Sequence, residues 1–312
     1  MENELKNKTF KPLNELELII EKLSTGKELK SVCMLELMDL LRDVNDKYVN
    51  GNLGKQERYH SVRSILKFLL IGRNIKVSFI EKLFNRIFNH NRLSIKHKSN
   101  SWELVFFDID FSDYIFSDIS FPRDTQFIGC KFNKTEFEKL RISKAFFKDC
   151  SFNDAVFRNS SLGMTSFKNC SLDNAVILNT RLGVNNQNSA EFNQCKMDGL
   201  QLEGLKGTRL SFKDCEMNGS KILNSNLAGS KLMSCNFNQS SFVDSSFKKS
   251  TFISCSMESI NSFNSTKKMS FVGSAFTACS FNSSDLTSSD FRKAKLHACE
   301  FHEANVKHAL GL

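Results

Sequence analysis

The stretch FKDCSFNDAVFRNSSLGMTSFKNCSLDNAV, residues 147–176, decides the fold. Cysteines stand at positions 150 and 170, and an apolar residue returns at every fifth position. A period of five matches neither the turn of an α-helix nor the two-residue alternation of a half-buried strand, and therefore predicts another regular structure. The large apolar residues that set this period are Phe147, Phe152, Phe157, Leu162, Phe167 and Leu172.

The same period extends over most of the chain. We call the large apolar residue of each five-residue unit its centre. Centres recur at every fifth position through residues 127–182, 192–197, 217–257 and 271–306. Two positions before a centre the residue is usually Cys, Ala, Ser or Thr, and the other positions are mostly Asn, Asp, Ser or Lys. Each unit therefore predicts one large and one small inward side chain beside three outward ones.

This pattern resembles the pentapeptide-repeat family over residues 106–306, about two thirds of the chain. The resemblance implies a mainly β fold, a right-handed, four-sided parallel β-helix in which each unit forms one side and four units complete a coil. Four units of five return the chain to the same side, which agrees with the spacing of the cysteines. We therefore expect about nine to ten coils over residues 101–312, stacked roughly 4.8 Å apart.

Nine cysteines follow the coil that the resemblance implies. Most neighbours along the chain are one regular coil apart, but five extra positions separate Cys170 from Cys195 and four extra positions separate Cys255 from Cys279. This predicts two insertions, in loops near residues 183–190 and 259–268, and both segments are rich in Asn, Ser or Lys, as surface loops are. The predicted inward ladder consists of Cys130, Cys150, Cys170, Cys195, Cys215, Cys235, Cys255, Cys279 and Cys299.

A phase slip marks the start of the β-helix. Centres up to Phe121 are spaced five positions apart, but Phe127 follows Phe121 by six positions. Pro122 lacks a backbone donor and fits such a slip, so the first coil is expected to begin near Trp102.

Residues 1–100 follow a different period and predict a small α-helical domain. Apolar residues recur there at helical spacing, with short Gly-containing links between the segments. We expect this domain to cap the first coil, because an uncovered strand edge invites aggregation. The apolar residues at helical spacing span 16–23, 32–44, 62–70 and 79–88, and the first three predicted helices end at Gly26, before Gly51 and at Gly72.

Positive charge is concentrated in that first domain. The chain has a net charge of +9, but residues 101–312 contain 24 Lys or Arg against 22 Asp or Glu. Arg86, Arg92, Lys96 and Lys98 are candidates for contacts with a partner. A solvated charged surface explains the same residues more simply, and both interpretations stay open.

No motif predicts a membrane span, a cofactor or catalysis. The longest apolar stretch, residues 65–72, is too short for a bilayer, and the N-terminus lacks the apolar core of a cleavable signal. The ladder cysteines form no C-x-x-C pair, so free buried thiols in a reducing compartment are expected rather than metal sites or disulfides. His297 and His302 each follow a centre directly and are predicted to point outward. Phosphate-binding and nucleophile-elbow motifs are missing.

The C-terminal segment EANVKHALGL is unusually apolar for an exposed last coil, through Val306, Leu310 and Leu312. These residues predict either a lid over the coil or a contact with a second copy of the chain. The resemblance supports the second possibility, since some family members dimerise through their C-terminal coils.

These features favour a non-catalytic protein-binding or targeting module. A helical head before a β-helix resembles bacterial effectors that act in the host cytoplasm. That resemblance implies a host protein as partner, synthesis in the bacterial cytoplasm and export without a cleavable signal.

Two other functions stay open. Quinolone-resistance members of the family are gyrase-binding mimics of DNA, and this is the alternative hypothesis. Mimicry of a polyanion needs negative potential, which the nearly neutral residues 101–312 argue against. Direct binding of nucleic acid is the third hypothesis, although aromatic platforms and a reading motif are missing from the basic head.

Overall fold

The computed structural model describes residues 93–98, 101–118, 121, 123–184, 188–261 and 269–312. These residues belong to two compact units. One contains Met1–Phe106 and Asp118–Thr125, and the other contains Phe107–Ser117 and Gln126–Leu312. The helices predicted between residues 16 and 88 lie outside the described residues.

In the first unit, strand β1 (Leu93–Lys98) pairs with strand β2 (Ser101–Phe107) in antiparallel fashion. The register places Leu93 opposite Phe106. Strand structure therefore begins at Leu93, inside the range 1–100 for which the sequence predicts a helical domain.

The second unit consists of short strands, most of them spanning three positions, joined by tight corners. Its strands are β3 (Ile115–Ser117), β4 (Gln126–Ile128), β5 (Glu136–Glu138), β6 (Arg141–Ser143), β7 (Phe146–Lys148), β8 (Val156–Arg158), β9 (Ser161–Gly163), β10 (Ser166–Lys168), β11 (Val176–Leu178), β12 (Gly183–Val184), β13 (Asn188–Ser189), β14 (Glu191–Asn193), β15 (Gln201–Glu203), β16 (Ser211–Lys213), β17 (Lys221–Leu223), β18 (Lys231–Met233), β19 (Ser241–Val243), β20 (Thr251–Ile253), β21 (Ala275–Thr277) and β22 (Lys295–His297).

Four stacked ladders form the four sides of this unit. Side one is a parallel sheet in the order β4-β7-β10-β14-β16-β18-β20-β21-β22, and side three is a sheet in the order β3-β5-β8-β11-β15-β17-β19. Side two is held by single bridges that continue from Lys131 to Glu300. Side four combines the β6–β9 pair with bridges that continue from Lys206 to Leu310. The predicted right-handed parallel β-solenoid, of about nine turns, is confirmed.

Each unit of the repeat makes a short strand and a corner. In β7 the centre Phe147 is buried, while its neighbours Phe146 and Lys148 point outward and are partly exposed. The residue two positions after a centre has positive φ, for example 53° at Asp149 and 52° at Asn159. Asn, Asp and Gly tolerate this left-handed conformation best, which accounts for their frequency at the corners.

Stacked rings fill the interior. On side one, the ring centroids of Phe127 and Phe147 are 4.8 Å apart and those of Phe147 and Phe167 are 4.9 Å apart. On side two, Phe132 and Phe152 stack at 4.8 Å. A single coil could not bury these rings alone, so the core is built by the contact of each coil with the next.

Both predicted insertions lengthen a coil without disturbing side one. At the first, β12 and β13 form a small antiparallel hairpin, and Phe192 resumes the register with Phe167. Beyond the second, Phe276 is in register with Phe252. Residues 262–268 of that insertion lie outside the described residues.

Two positions depart from the strict period. On side three Phe116 is in register with Phe137, one position later than a regular coil would place its partner, as the predicted phase slip requires. On side four a glycine, Gly207, stands at a centre, and the small positions around it hold Leu205 and Leu210, both buried. A Cβ on Gly207 would lie 3.3 Å from the Leu210 side chain, so these leucines fill the space that the centre leaves.

Candidate binding surface

The cysteine ladder is part of the packed interior. Eight of the nine predicted cysteines are buried, whereas Cys299, in the outermost coil, is partly exposed. The Cys150 thiol lies 3.4 Å from the carbonyl oxygen of Phe127 and 3.3 Å from that of Lys148, and donates to them. Within the described ranges, no group of three His, Cys, Asp or Glu side chains is arranged to hold a metal ion.

Burial disfavours the thiolate along the ladder, whereas contact between neighbouring thiols raises the pKa of one cysteine and lowers that of the next. The neighbouring Cys195 thiol, together with burial, raises the pKa of Cys215 to about 12, against opposing hydrogen bonds. The Cys150 thiol and burial likewise raise the pKa of Cys130. Both thiols are buried and donate hydrogen bonds to backbone carbonyl oxygens, so they belong to the packed interior.

Of the four basic residues predicted to contact a partner, two lie in the described part of the chain. Arg86 and Arg92 lie outside the described residues, and Lys96 and Lys98 belong to β1. Their role stays a prediction. The described part of the chain contains no helix long and apolar enough to cross a membrane.

Outward residues of side four between Arg141 and Lys293 form a surface that we call the basic face. It carries nine exposed cations and a single carboxylate, Asp290, which is buried and bonded to Arg292 at 2.7 Å. The cations occupy strand positions and corners in several successive coils. They are Arg141, Lys144, Arg181, Lys206, Arg209, Lys248, Lys249, Arg292 and Lys293.

The opposite side of the coil, side two, has the reverse charge, and we call its outward residues the acidic face. Lys131, Lys134 and Lys196 are its only Lys or Arg side chains among the described residues. Its carboxylates are Asp110, Asp113, Asp154, Asp173, Asp198, Glu216, Glu258, Glu300 and Glu303. The unit therefore carries opposite charge on opposite sides, although its total charge is close to zero.

Backbone hydrogen bonds hold part of the acidic face in place. Oδ1 of Asn133 accepts from the N–H of Asn153 (3.0 Å), and Oδ1 of Asn153 accepts from that of Asp173 (3.2 Å). The carboxylate of Asp173 accepts from the N–H of Asp198 at 3.1 Å, and that of Asp198 accepts from Asn218 at 2.8 Å. Because each side chain is fixed to the next coil, the carboxylates are presented in a regular row.

Side three adds apolar surface between these two faces. Ile115 is 64% exposed, and further aliphatic side chains on the same side are half-buried. Apolar area rimmed by charge is typical of surfaces that contact proteins. The half-buried residues are Val156, Val176, Leu178, Leu223 and Val243.

Net charge alone misses this polarity, because it adds the cations of one side to the carboxylates of the other. Assigning each charged residue to a side of the coil from its position in the repeat would have revealed this separation of charge. The outward positions around each centre are known once the period is known, so the assignment needs only the order of the four sides.

The apolar C-terminal residues form part of the last coil. Leu310 pairs with Asp290, and the N–H of Phe291 donates to the Leu310 carbonyl oxygen at 2.7 Å. Val306 and Leu312 remain 41% and 47% exposed. The segment is therefore a rung of the solenoid, and a lid or a contact with a second copy stays a prediction.

Comparison with known proteins supports the repeat assignment. A family model described as a pentapeptide repeat region matches residues 186–263. A second, described as pentapeptide repeats in eight copies, matches residues 123–159, 150–183 and 270–309. Together the two models cover more than half of the chain. No curated protein sequence matches it.

Solved structures that match the chain include QnrB1 and HetL, the second of which is described as a pentapeptide-repeat protein. The plasmid-mediated fluoroquinolone resistance protein QnrB1 is 16% identical, with a TM-score of 0.45 over 62% of this chain and 93% of that one. HetL, involved in heterocyst differentiation regulation in the cyanobacterium Nostoc sp. strain PCC 7120, is 13% identical, with a TM-score of 0.36 over 66% of this chain and 86% of that one. By its repeats and by the coil they build, the chain belongs to the pentapeptide-repeat family.

Proposed function

We propose that this protein is a non-catalytic protein-binding module that acts through the outer faces of its solenoid. The observation that carries the proposal is the separation of charge between the basic and acidic faces. Opposite charges on opposite sides favour two different contacts or one strongly oriented contact, because complementary potential steers a partner and fixes its orientation. The apolar residues of side three would supply the desolvated centre that a protein interface needs.

The finer proposal is a bacterial effector that binds a host protein in the host cytoplasm. Eight buried free thiols suit a reducing compartment. The resemblance of a helical head followed by a β-helix to secreted effectors supports the same role, with export that needs no cleavable signal.

A gyrase-binding DNA mimic is the second candidate, and the acidic face favours it. The nearly neutral total charge of residues 101–312 argues against such mimicry, but a partner meets one face at a time. Nine carboxylates against three lysines on side two create the local negative potential that a DNA-binding surface recognises.

Affinity capture with the purified chain, run in parallel on bacterial and animal-cell lysates, tests these roles. A variant with Asp173→Asn, Asp198→Asn and Glu216→Gln removes three charges from the acidic face. Asn already serves as the acceptor at Asn133 and Asn153, so the backbone bonds should survive.

Capture of gyrase subunits by the native chain but not by the variant would support the DNA mimic. A specific partner from the animal lysate alone would support the effector. A chain that retains nothing beyond what an unfolded Phe152→Asp variant retains would contradict the binding module itself.

A further inference from the structure

A cleft lies beside the β12–β13 hairpin, at the corner between side four and side one. Its volume is about 350 Å³. The corner residues Lys144, Met164 and Arg209 all have positive φ, and the hairpin takes the place of the corner between Met164 and Arg209. The residues that line the cleft are Lys144, Met164, Thr165, Ser166, Ser189, Glu191, Arg209 and Ser211.

The hairpin is fixed beside the cleft. The hydroxyl of Ser189 donates to the carbonyl oxygen of Thr208, which ties the returning strand of the hairpin to the next coil. Gly183, where the hairpin begins, approaches the same carbonyl so closely that a Cβ there would lie 3.3 Å from it. The cleft is therefore held open by a packed feature of the fold.

The charges around the cleft select an anionic ligand. Lys144 and Arg209 line it from the basic face, and Ser166 and Ser211 add hydroxyl groups. The only carboxylate of the basic face, Asp290, belongs to a later coil. Cations combined with hydroxyl donors are the groups that bind carboxylates and phosphates in proteins.

Two observations favour a protein segment over nucleic acid as the source of that anion. Glu191 also lines the cleft, where it would repel a continuous row of phosphates but could accept a hydrogen bond from a peptide N–H. The described outward residues of side four include no aromatic side chain on which a base could stack.

We propose that the cleft beside the hairpin binds a carboxylate or phosphate group carried by an acidic segment of a partner protein, with the basic face continuing the contact. The inference rests on the proposed protein-binding function and names the chemistry of one partner surface.

Fluorescence anisotropy with the full chain tests the proposal. The probes are a Glu-rich peptide, a phosphoserine peptide, a neutral peptide and a single-stranded DNA of matched charge. The cleft variant is Lys144→Gln with Arg209→Gln, and the control is Lys248→Gln with Lys249→Gln, which removes the same charge from the same face. Glutamine is compatible with these corners, since Gln194 and Gln239 already occupy such positions with positive φ.

We expect one or both acidic peptides to bind, and the cleft variant to weaken that binding at least about tenfold. The control should weaken it less than about threefold, as screened surface charges do. Comparing the two acidic peptides separates a carboxylate from a phosphate ligand. Equal losses in both variants, binding of DNA alone, or no binding of either acidic peptide would overturn the proposal, while the lysate experiment would still test protein binding in general.

Discussion

The rings of Phe167 and Phe192 stack with centroids 4.9 Å apart and planes 4° apart, although the chain between them contains the first insertion. The stack is as close as that of Phe147 and Phe167, which are separated by one regular coil. The insertion thus leaves the stacking on side one unchanged, which makes the hairpin separable from the fold.

Deleting residues 184–188 should leave the solenoid folded, because it restores a regular coil between Phe167 and Phe192. We expect the free energy of unfolding to change by less than about 1 kcal/mol, as for a shortened surface loop. Chemical denaturation followed by circular dichroism measures it. Deleting residues 184–189 is the matched control, since it leaves the coil one residue short, so that the following centres cannot reach their register, and should strongly destabilise the chain. Similar stability of both deletions would contradict the register.

Phe152→Ala should lower the free energy of unfolding by about 3–5 kcal/mol, because the ring is completely buried and stacks on Phe132 at 4.8 Å. Urea titration measures the change. Phe146→Ala is the control, since this ring points outward from β7. A comparable loss in both variants would mean that inward and outward positions are not distinguished as the structure describes.

Among the nine ladder cysteines, Cys299 should react first with a thiol reagent. It is partly exposed in the outermost coil, whereas the other eight ladder cysteines are buried. Brief labelling of the native chain, followed by peptide mass spectrometry, should find the label on Cys299 and little on Cys150 or Cys215. Prior unfolding in urea should equalise the labelling. Rapid native labelling of Cys150 would disprove the closed interior.

The contribution of Cys215 to stability should fall as the pH rises from about 8.5 towards 12. The folded-state pKa of Cys215 is about 12, above the roughly 8.5 of an exposed thiol, so the unfolded chain loses its proton first. The stabilisation from Cys215 is complete below the pKa of the unfolded chain, about 8.5, and is lost as the pH approaches the folded-state pKa of about 12.

Urea titrations at pH 7 and pH 9.5 measure this loss of stability. Cys215→Ala should have a smaller difference between the two pH values, and alanine already fills the small inward position at Ala155 and Ala175. An unchanged difference would show that Cys215 does not contribute to it.

If a second copy packs on the last coil, Val306→Asp should halve the mass in solution, because it places a charge on the 41% exposed Val306. Light scattering coupled to size exclusion measures the mass. Lys307→Asp, at a neighbouring exposed position, is the control. The same mass for the native chain and both variants would rule out the contact through Val306.

The sequence by itself determined the repeat. A period of five, a return after every fourth unit and small residues two positions before each centre predict the coil, because one side of the coil buries only one large and one small residue. The same arithmetic located the extra residues near Gly183 and the slip before Phe127. These features depend only on spacing along the chain, so they can be found in the sequence without the structure.

Only the tertiary structure decided what the outer surface presents. Lys144 and Arg209 reach one cleft because coils stack, and Leu205 and Leu210 fill the place of a centre at Gly207 because neighbouring units share the interior. The separation of charge between the two faces has the same origin. Residues that lie one coil apart in the sequence become neighbours only when the coil closes, and net charge contains no information about which side of the coil each of them occupies.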